Sequence, residues 1–346
     1  MKIRRLRSIA KAALRVVGAI EPPVSWRARQ SYGTPMAHEP HASPEGAREV
    51  HRRSPNSLRL RSIGIRIDTR ADALGELQPS THLLDDVLAL RQRMDNDGYL
   101  FLPGFFDGDA VAAARRQVVE WLSAEGLLDP RRPIEDACAA AHADIQLRAE
   151  EGRLPTVRAL MNSTRMVDFY TRFLGGAVRA YDHIWMRMVS PGHGTAAHLD
   201  LVYMGRGTHN LYGSWVPLGD IALEQGALLV LEGSHKKGHL WQGYSRMDID
   251  RDGNWTKLRF RHGRFFRGGD YSRNPRALQK RSGLRWLTVD YRAGDVVIMK
   301  AQTMHASLDN VSDSIRISAD TRYQLASEPV DERWIGEHPI GHPDAI

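Results

Sequence analysis

The second half of the sequence consists of short apolar segments separated by glycine, proline, asparagine or aspartate. In most of these segments apolar residues alternate with other residues, which is the period of a β-strand with one buried face. Seven segments are predicted as strands: Val178–Val189, Ala197–Tyr203, Tyr212–Leu218, Ala227–Leu231, Trp286–Tyr291, Val296–Lys300 and Ile315–Leu325. Regularly spaced short strands with turn residues between them favour a β-sandwich or a barrel.

The segment before these strands has mainly the period of helices. Apolar residues recur at helical spacing over Leu83–Met94, and a second helix is predicted over Ala110–Ala124. Residues 134–174 are predicted to be mainly helical. Two short strands are also predicted, one within residues 97–106 and one at the alternating isoleucines of 63–67. Together the two halves predict a mainly β domain with flanking helices.

The positive charge of the chain is concentrated in two segments. The formal net charge is +7, but residues 1–61 carry 13 Lys and Arg against 4 Asp and Glu, and residues 236–285 carry 14 against 4. The rest of the chain is therefore acidic, so we expect no nucleic-acid partner for the domain. We predict a basic, poorly ordered N-terminal tail or linker at 1–61, one domain at 62–330 with a long basic insertion at 236–285, and a C-terminal tail at 331–346.

Residues 1–20 form a basic, amphipathic segment that contains no acidic residue. Lys11 and Arg15 interrupt the apolar centre that a secretory signal needs. No run of about 18 apolar residues predicts a transmembrane helix. We favour a disordered segment or a surface helix and, by default, a cytoplasmic protein, with organelle targeting and anchoring at a membrane surface left open.

A metal site in this chain must use His, Asp or Glu, because the single cysteine, Cys138, excludes a thiolate cluster. The spacing His-x-Asp occurs three times, and only His198 and Asp200 fall in a predicted strand, where residues i and i+2 share a face. His305, which follows a later predicted strand, can supply a second imidazole. Two His and one carboxylate leave coordination positions open, which suits non-haem Fe(II). On spacing alone, the alternative is a surface turn.

Arg316 lies 11 positions after His305, on the next predicted strand. A guanidinium can bind a carboxylate through two parallel hydrogen bonds. A 2-oxo diacid held at a metal through one end needs such a partner at its other end. Ser307 and Ser318 can add hydroxyl donors. Arg322 is on the same face and competes for this role, while a surface ion pair is the alternative interpretation of Arg316.

Four segments occur in order between residues 95 and 325. They are DNDGYLFLPGFFDGDAV at 95–111, SPGHGTAAHLD at 190–200, SWVPLGDIALEQGALLVLEGSHK at 214–236 and YRAGDVVIMKAQTMHASLDNVSDSIRISADTRY at 291–323. In this order and spacing they resemble the phytanoyl-CoA dioxygenase family of Fe(II)- and 2-oxoglutarate-dependent oxygenases. The resemblance implies a double-stranded β-helix, which is a cupin-like jelly roll with helices packed on one side.

The resemblance also assigns roles to individual residues. By position it implies iron ligation by His198, Asp200 and His305, and contacts with 2-oxoglutarate by Arg316, Ser307 and Trp215. Arg316 matches the arginine that binds the distal carboxylate of the cosubstrate. Gln225-Gly226 stands where relatives usually have Asn-Gly, and the insertion at 236–285 is longer than we expect for the family. These departures leave the substrate open.

The implied reaction uses Fe(II), 2-oxoglutarate and O2 to hydroxylate a C–H bond of a small molecule, with release of succinate and CO2. Asp200 favours hydroxylation, because related halogenases lack this carboxylate. Three alternatives remain: a cupin-like metal-dependent isomerase or epimerase, a non-catalytic basic nucleic-acid-binding protein, and a membrane-surface protein anchored by residues 1–20. The first needs no cosubstrate arginine.

Residues on the substrate side are less constrained by the sequence. Four candidates lie close to the metal segments along the chain: Trp185, Tyr203, His209 and Asn210. Ordinary packing or surface exposure explains each of them equally well. The basic insertion at 236–285 is compatible with an anionic substrate and, equally, with a solvated positive lid.

Overall fold

The computed structural model describes residues 60–145, 154–252, 258–261 and 264–342. Residues 1–59, which carry most of the predicted basic tail and the whole of the targeting segment, lie outside the described residues, as do 343–346. In the described part of the chain, no helix has the length and apolar character needed to cross a membrane.

The described α-helices lie mainly before and between the sheets. They are α1 (Val87–Asp97), α2 (Gly108–Ala124), α3 (Pro155–Met161), α4 (Thr164–Leu174), α5 (Leu201–Met204), α6 (Ile249–Asp252) and α7 (Pro275–Ser282). Short 3₁₀ helices occur at Thr81–Leu83, Ile134–Asp136, Ser234–Trp241 and Glu332–Trp334. The Asp107 side chain accepts a hydrogen bond from the Asp109 amide and so caps the N-terminus of α2.

Fourteen strands are described, and most of them are short. They are β1 (Arg61–Ser62), β2 (Ile65–Arg66), β3 (Leu74–Gly75), β4 (Tyr99–Leu102), β5 (Val178–Ala180), β6 (Trp185–Val189), β7 (Tyr212–Pro217), β8 (Leu228–Leu231), β9 (Leu258–Arg261), β10 (Arg264–Arg267), β11 (Trp286–Leu287), β12 (Val296–Lys300), β13 (His305–Ser307) and β14 (Arg316–Leu325). The predictions for β7, β8, β12 and β14 hold to within one residue at either end.

Two sheets form the double-stranded β-helix that the family resemblance implies. The larger sheet has the strand order β4-β12-β7-β14-β5, with β6 also paired to β14. The smaller sheet has the order β13-β8-β11-β3. All pairs within these sheets are antiparallel except β11 with β3.

The apolar side chains divide into two cores, one on each face of the larger sheet. Val297 and Met299 of β12 belong to the core that includes the smaller sheet, whereas Val296 and Ile298 belong to the core under α1–α4. Strand β12 is therefore buried on both faces, as expected for a sheet that is covered by helices on one side and a second sheet on the other.

Strand β14 carries a buried polar face. Ile317, Ala319 and Tyr323 belong to the core on the helix side. The alternate residues are polar and also buried: Arg316, Ser318, Asp320, Arg322 and Gln324. Since buried charges need partners, this face requires counter-charges from elsewhere in the barrel.

Several predicted elements are shorter or different. The strand predicted at Ala197–Tyr203 is wrong: Ala197 and His198 form single bridges, and α5 follows at once. Asp200 has helical dihedral angles (φ −59°, ψ −31°), and its carbonyl accepts from the amides of Tyr203 and Met204. The strand predicted at Val178–Val189 is two strands, β5 and β6.

Three further predictions also change. The strand predicted at 286–291 is reduced to β11 and one bridge between Tyr291 and Ile221. The isoleucines at 63–67 form a hairpin, because Ile63 and Gly64 have positive φ and turn the chain between β1 and β2. Of residues 134–174, only α3, α4 and one 3₁₀ turn are helical among those described, so His142 and Asp144 lie outside a helix.

The described part of the insertion at 236–285 packs against the core that contains the smaller sheet. Trp241, Tyr244 and Leu278 join the core that contains the smaller sheet. The Tyr244 hydroxyl accepts from the Leu199 amide at 3.2 Å and donates to the Gly269 carbonyl. The insertion is thereby held beside the segment that contains His198 and Asp200.

Residues 331–342 are also part of the folded unit. Trp334 is 1% exposed, and Arg333 forms ion pairs with Asp331 and with Asp250 of the insertion. The tail predicted at 331–346 is therefore wrong for these residues. A buried tryptophan and an ion-paired arginine hold the segment against the domain. The sequence around them has no helix or strand periodicity, so periodicity did not predict this packing.

Candidate metal centre

His198 and His305 face each other across an antiparallel bridge. The His198 amide donates to the His305 carbonyl at 3.0 Å, and the His305 amide donates to the His198 carbonyl at 3.1 Å. Residues paired directly in this way place their side chains on the same face. The two imidazole centroids are accordingly 4.2 Å apart.

Asp200 completes a cluster of three buried donors. Its Oδ1 is 3.9 Å from Nε2 of His198 and 3.7 Å from Nε2 of His305. Each residue offers one ligand atom, and these atoms lie within 4.8 Å of one another. Within the described residues, this is the one group of three or more such side chains that could hold a metal ion. The sequence predicted this convergence from a shared strand face, but the turn into α5 is what brings Asp200 to the histidines.

The histidine rings are oriented by backbone carbonyls. Nδ1 of His198 is 2.8 Å from the Ala196 carbonyl, and Nδ1 of His305 is 3.1 Å from the Thr303 carbonyl. A proton on each Nδ1 leaves the Nε2 lone pair directed toward the cluster. Burial lowers the pKa of His198 to about 3 and also lowers the pKa of His305, so both rings are neutral at neutral pH. Two neutral imidazoles and one carboxylate are a donor set that fits Fe(II).

A chain of alternating charges extends from Asp200. Nη2 of Arg322 donates to Oδ2 of Asp200 at 2.8 Å, and Nη1 donates to Asp320. Asp320 in turn accepts from Nε and Nη2 of Arg187. Burial by itself raises the pKa of Asp200, but the neighbouring basic groups, of which Arg322 contributes most, together outweigh burial, and the pKa lies below its usual value. Asp200 is therefore a carboxylate with one oxygen already hydrogen-bonded.

Arg316 is a buried guanidinium that forms no ion pair with the described residues. Its side chain lines the same pocket as the three donors, and Nη1 donates to the Gly226 carbonyl at 3.0 Å. Nε has no partner, and Arg316 makes no ion pair with any carboxylate of the described residues. Burial lowers its pKa to about 10. The competing arginine, Arg322, in contrast forms ion pairs with two carboxylates through its terminal nitrogens, although its Nε also has no partner among the described residues.

Ser307 and Trp215 line the pocket as well. The Ser307 hydroxyl accepts from the Thr195 amide at 2.8 Å and donates to the Leu308 carbonyl at 3.1 Å. Nε1 of Trp215 is buried and has no acceptor among the described residues. Ser318, by comparison, does not line the pocket. Trp215 therefore offers a donor N–H to a ligand, whereas the hydroxyl of Ser307 is already engaged.

Sequence comparison supports the same grouping. The profile of the phytanoyl-CoA dioxygenase (PhyH) family matches residues 94–318. The chain belongs to this family. The resemblance inferred from the four segments is thus confirmed, and the protein is an oxygenase of the type that depends on iron and 2-oxoglutarate.

Two proteins with similar sequences are hydroxylases. The chain is 28% identical over 266 residues to 1-deoxypentalenic acid 11-beta-hydroxylase of Streptomyces exfoliatus, and 26% identical to the enzyme of the same name from Streptomyces arenae. Each alignment covers 74% of this chain and 87% of the relative. The solved structure of EctD from S. alaskensis with 2-oxoglutarate and 5-hydroxyectoine has a TM-score of 0.50 and 21% identity, and covers 80% of this chain and 91% of that one. It shows that the fold is shared.

A second cavity adjoins the metal pocket of this PhyH-family protein. It has a volume of about 650 Å³ and shares Arg187 and Thr195 with the metal pocket. Its wall includes Tyr203, whose ring is 5.6 Å from that of His198. Of the other substrate-side candidates, Trp185 packs under the Arg322 guanidinium. His209 and Asn210 line a different pocket.

Sequence reasoning missed two residues of the site, Arg187 and Asp320. Asp320 shares a strand face with Arg316 and Arg322, so the period of β14 carried a signal. Arg187 is the charged residue in the otherwise apolar strand Trp185–Val189. A charge in the middle of such a strand indicates a buried partner and was the signal available.

Proposed function

We propose that this protein hydroxylates a C–H bond of a small molecule and uses 2-oxoglutarate as cosubstrate, with release of succinate and CO2. One observation carries the proposal. Three buried metal-type donors share a pocket with a buried guanidinium that has no counter-charge in the described protein. A dicarboxylate that chelates a metal with one end and reaches Arg316 with the other satisfies both features.

In this proposal Nε2 of His198, Nε2 of His305 and Oδ1 of Asp200 hold the iron. The bound iron supplies the activation of O2 that C–H hydroxylation requires. The protein keeps both imidazoles neutral and oriented through the carbonyls of Ala196 and Thr303. It also keeps Asp200 ionised through Arg322.

Arg316 is proposed to bind the distal carboxylate of 2-oxoglutarate. Charge-assisted, bidentate hydrogen bonds of this kind are strong when they are buried. Binding also removes the cost of the unpaired guanidinium, because the ligand brings the missing negative charge. Trp215 can donate its Nε1 hydrogen to the same ligand, and Ser307 fixes the adjoining backbone through the Thr195 amide.

The adjoining cavity is proposed to hold the substrate, and an anionic group of the substrate is proposed to bind Arg187. The guanidinium is oriented by Asp320, whereas its Nη1 has no acceptor among the described residues. With neutral histidines, the pocket contributes three arginines and two aspartates. The two charges of Fe(II) and the two charges of 2-oxoglutarate cancel. The three arginines and two aspartates then leave one net positive charge, which a substrate anion can neutralise. The compound named in both relatives is likewise an acid.

The direct test measures succinate and product with Fe(II), ascorbate and labelled O2. A panel of small carboxylic acids is compared with the corresponding primary amides. We expect an acid to stimulate succinate formation and to gain one labelled oxygen atom, with no such gain for Asp200→Ala. His209→Ala is the matched control and keeps wild-type activity, because His209 lies at a different pocket.

Two results would contradict parts of the proposal. Undiminished turnover by folded Asp200→Ala would exclude the metal assignment. A preference for acids over amides that survives Arg187→Gln would exclude Arg187 as the anion-binding residue, while leaving the hydroxylation itself standing.

A further inference from the structure

The side chain of Asp200 is held from outside the metal pocket. Among the described residues, Arg322 is the only hydrogen-bond donor to this carboxylate, and it binds Oδ2 at 2.8 Å. Oδ1 is the oxygen that approaches both histidine nitrogens. The two oxygens of one carboxylate therefore have separate partners.

We propose that Arg322 is a positioning residue that presents only Oδ1 of Asp200 to the metal. The inference rests on the assignment of Asp200 as a ligand in the proposed function. A carboxylate without this contact is free to offer both oxygens to a cation. It then occupies a position that the cosubstrate or O2 needs, so the orientation of Asp200 bears on the number of open positions.

Arg322 is itself immobilised by its surroundings. Its side chain is 2% exposed, and its second terminal nitrogen donates to Asp320. Its guanidinium lies 4.4 Å from the centre of the Trp185 ring. Because Asp320 is also held by Arg187, the contact with Asp200 stands at the end of a rigid chain of paired charges.

The sheet leaves room for this contact at Gly213. Gly213 is the β7 partner of Arg322 in β14. A Cβ atom at position 213 would lie 3.2 Å from Oδ2 of Asp200 and 3.5 Å from Nε of Arg322. The glycine thus allows the carboxylate and the guanidinium to meet over the strand.

The test uses Co(II) as an air-stable probe in place of iron, with affinity from calorimetry and coordination from the visible absorption spectrum. For Arg322→Met we expect Co(II) affinity to fall by about 10- to 100-fold, as for other groups that orient metal ligands, and the spectrum to change. Arg322→Lys keeps a positive charge but cannot bond both carboxylates in one geometry. It therefore shows the altered spectrum too, and carries the test if the methionine variant does not fold.

Two comparisons separate positioning from general stabilisation. Arg333→Met is the matched control, because Arg333 is equally buried and paired with Asp331 and Asp250 but does not contact Asp200. It is expected to unfold at lower temperature while Co(II) affinity and spectrum stay at the wild-type values. In a double-mutant cycle, Arg322→Met added to Asp200→Ala causes no further loss of affinity, since Arg322 acts through Asp200.

The outcomes are distinguishable from failure of the proposed function. Wild-type Co(II) affinity in Asp200→Ala would remove Asp200 from the metal site and end both proposals. Loss of affinity in Asp200→Ala together with a wild-type spectrum and affinity in folded Arg322→Lys or Arg322→Met would overturn only the positioning role. Additive losses in the cycle would overturn it as well.

Discussion

Arg316→Met is expected to stabilise the ligand-free protein and to weaken cosubstrate binding strongly. Burial lowers the pKa of Arg316 from 12.5 to about 10, so the charged form present at pH 7 is disfavoured in the folded protein by about 3 kcal/mol. Methionine removes that cost but loses the hydrogen bond to the Gly226 carbonyl, worth about 1 kcal/mol. We expect the free energy of unfolding of the metal-free protein to rise by about 1–2 kcal/mol.

Ligand binding should change in the opposite direction. Removing one partner of a buried, hydrogen-bonded charge pair costs about 3–5 kcal/mol. The Kd for 2-oxoglutarate, measured with Co(II) present, should therefore rise by about two to four orders of magnitude. At about 100 times the wild-type Kd, the ligand stabilises the wild-type protein by roughly 2.7 kcal/mol, and this gain should vanish in the variant.

The assay is thermal and urea unfolding of both proteins, with and without Co(II) and 2-oxoglutarate. Arg322→Met provides a matched comparison, because the same substitution on the same strand removes a buried guanidinium that has two carboxylate partners. It should destabilise the metal-free protein by about 3–5 kcal/mol. A similar destabilisation by Arg316→Met would refute the claim that Arg316 lacks a counter-charge, and unchanged binding of 2-oxoglutarate would refute its role.

Two further predictions follow from the same pocket. Trp215→Phe keeps an aromatic ring but removes the unpartnered Nε1 hydrogen, so the Kd for 2-oxoglutarate should rise by about 3- to 10-fold. Co(II) affinity, measured by calorimetry, should stay constant. Unchanged affinity for 2-oxoglutarate would exclude a hydrogen bond from Trp215 to this ligand. For the metal-free protein, the pKa values of His198 and His305 lie below 6.5 when folded, so the unfolded chain binds more protons below that pH. As the pH is lowered from 6.5 to 5, the free energy of unfolding should fall by up to about 1.4 kcal/mol per pH unit for each histidine. The slope should be smaller in His305→Gln than in the wild-type protein. Equal slopes in the two proteins would contradict the lowered pKa values.

The strands whose bounds were predicted well are those that are buried on both faces. Strand β12 is buried on both faces, and its observed bounds are those predicted, Val296–Lys300. The segment Ala197–Tyr203 begins with a clear strand alternation of apolar and polar residues but becomes a bridge followed by a helical turn. The start of its local pattern also predicts a strand, so the difference arises from tertiary contacts such as the Leu201 amide with the Ala301 carbonyl at 3.1 Å.

The three metal-type donors converge although one step of the sequence argument fails. The prediction needed His198 and Asp200 on one strand face, yet only His198 pairs in a β-bridge. The bridge between His198 and His305 brings two of the donors together without that assumption. Asp200 then needs only to follow within one helical turn, which two residues of chain allow. The positions of these residues in the sequence therefore predicted that their side chains lie close together more reliably than they predicted the secondary structure.

The roles of the two arginines on β14 depend on sheet register, which the sequence does not display. Arg316 and Arg322 share a face of one strand, so periodicity treats them alike. In the sheet, Arg322 stands opposite Gly213 and reaches Asp200 and Asp320, whereas Arg316 stands opposite Val189 and reaches a backbone carbonyl. A buried charge that the fold leaves unpaired is destabilising by itself, so its presence in a pocket with three metal-type donors indicates a charge supplied by a ligand. Only the partners that the register selects distinguish Arg322, which is paired with two carboxylates, from Arg316, which we propose binds the cosubstrate.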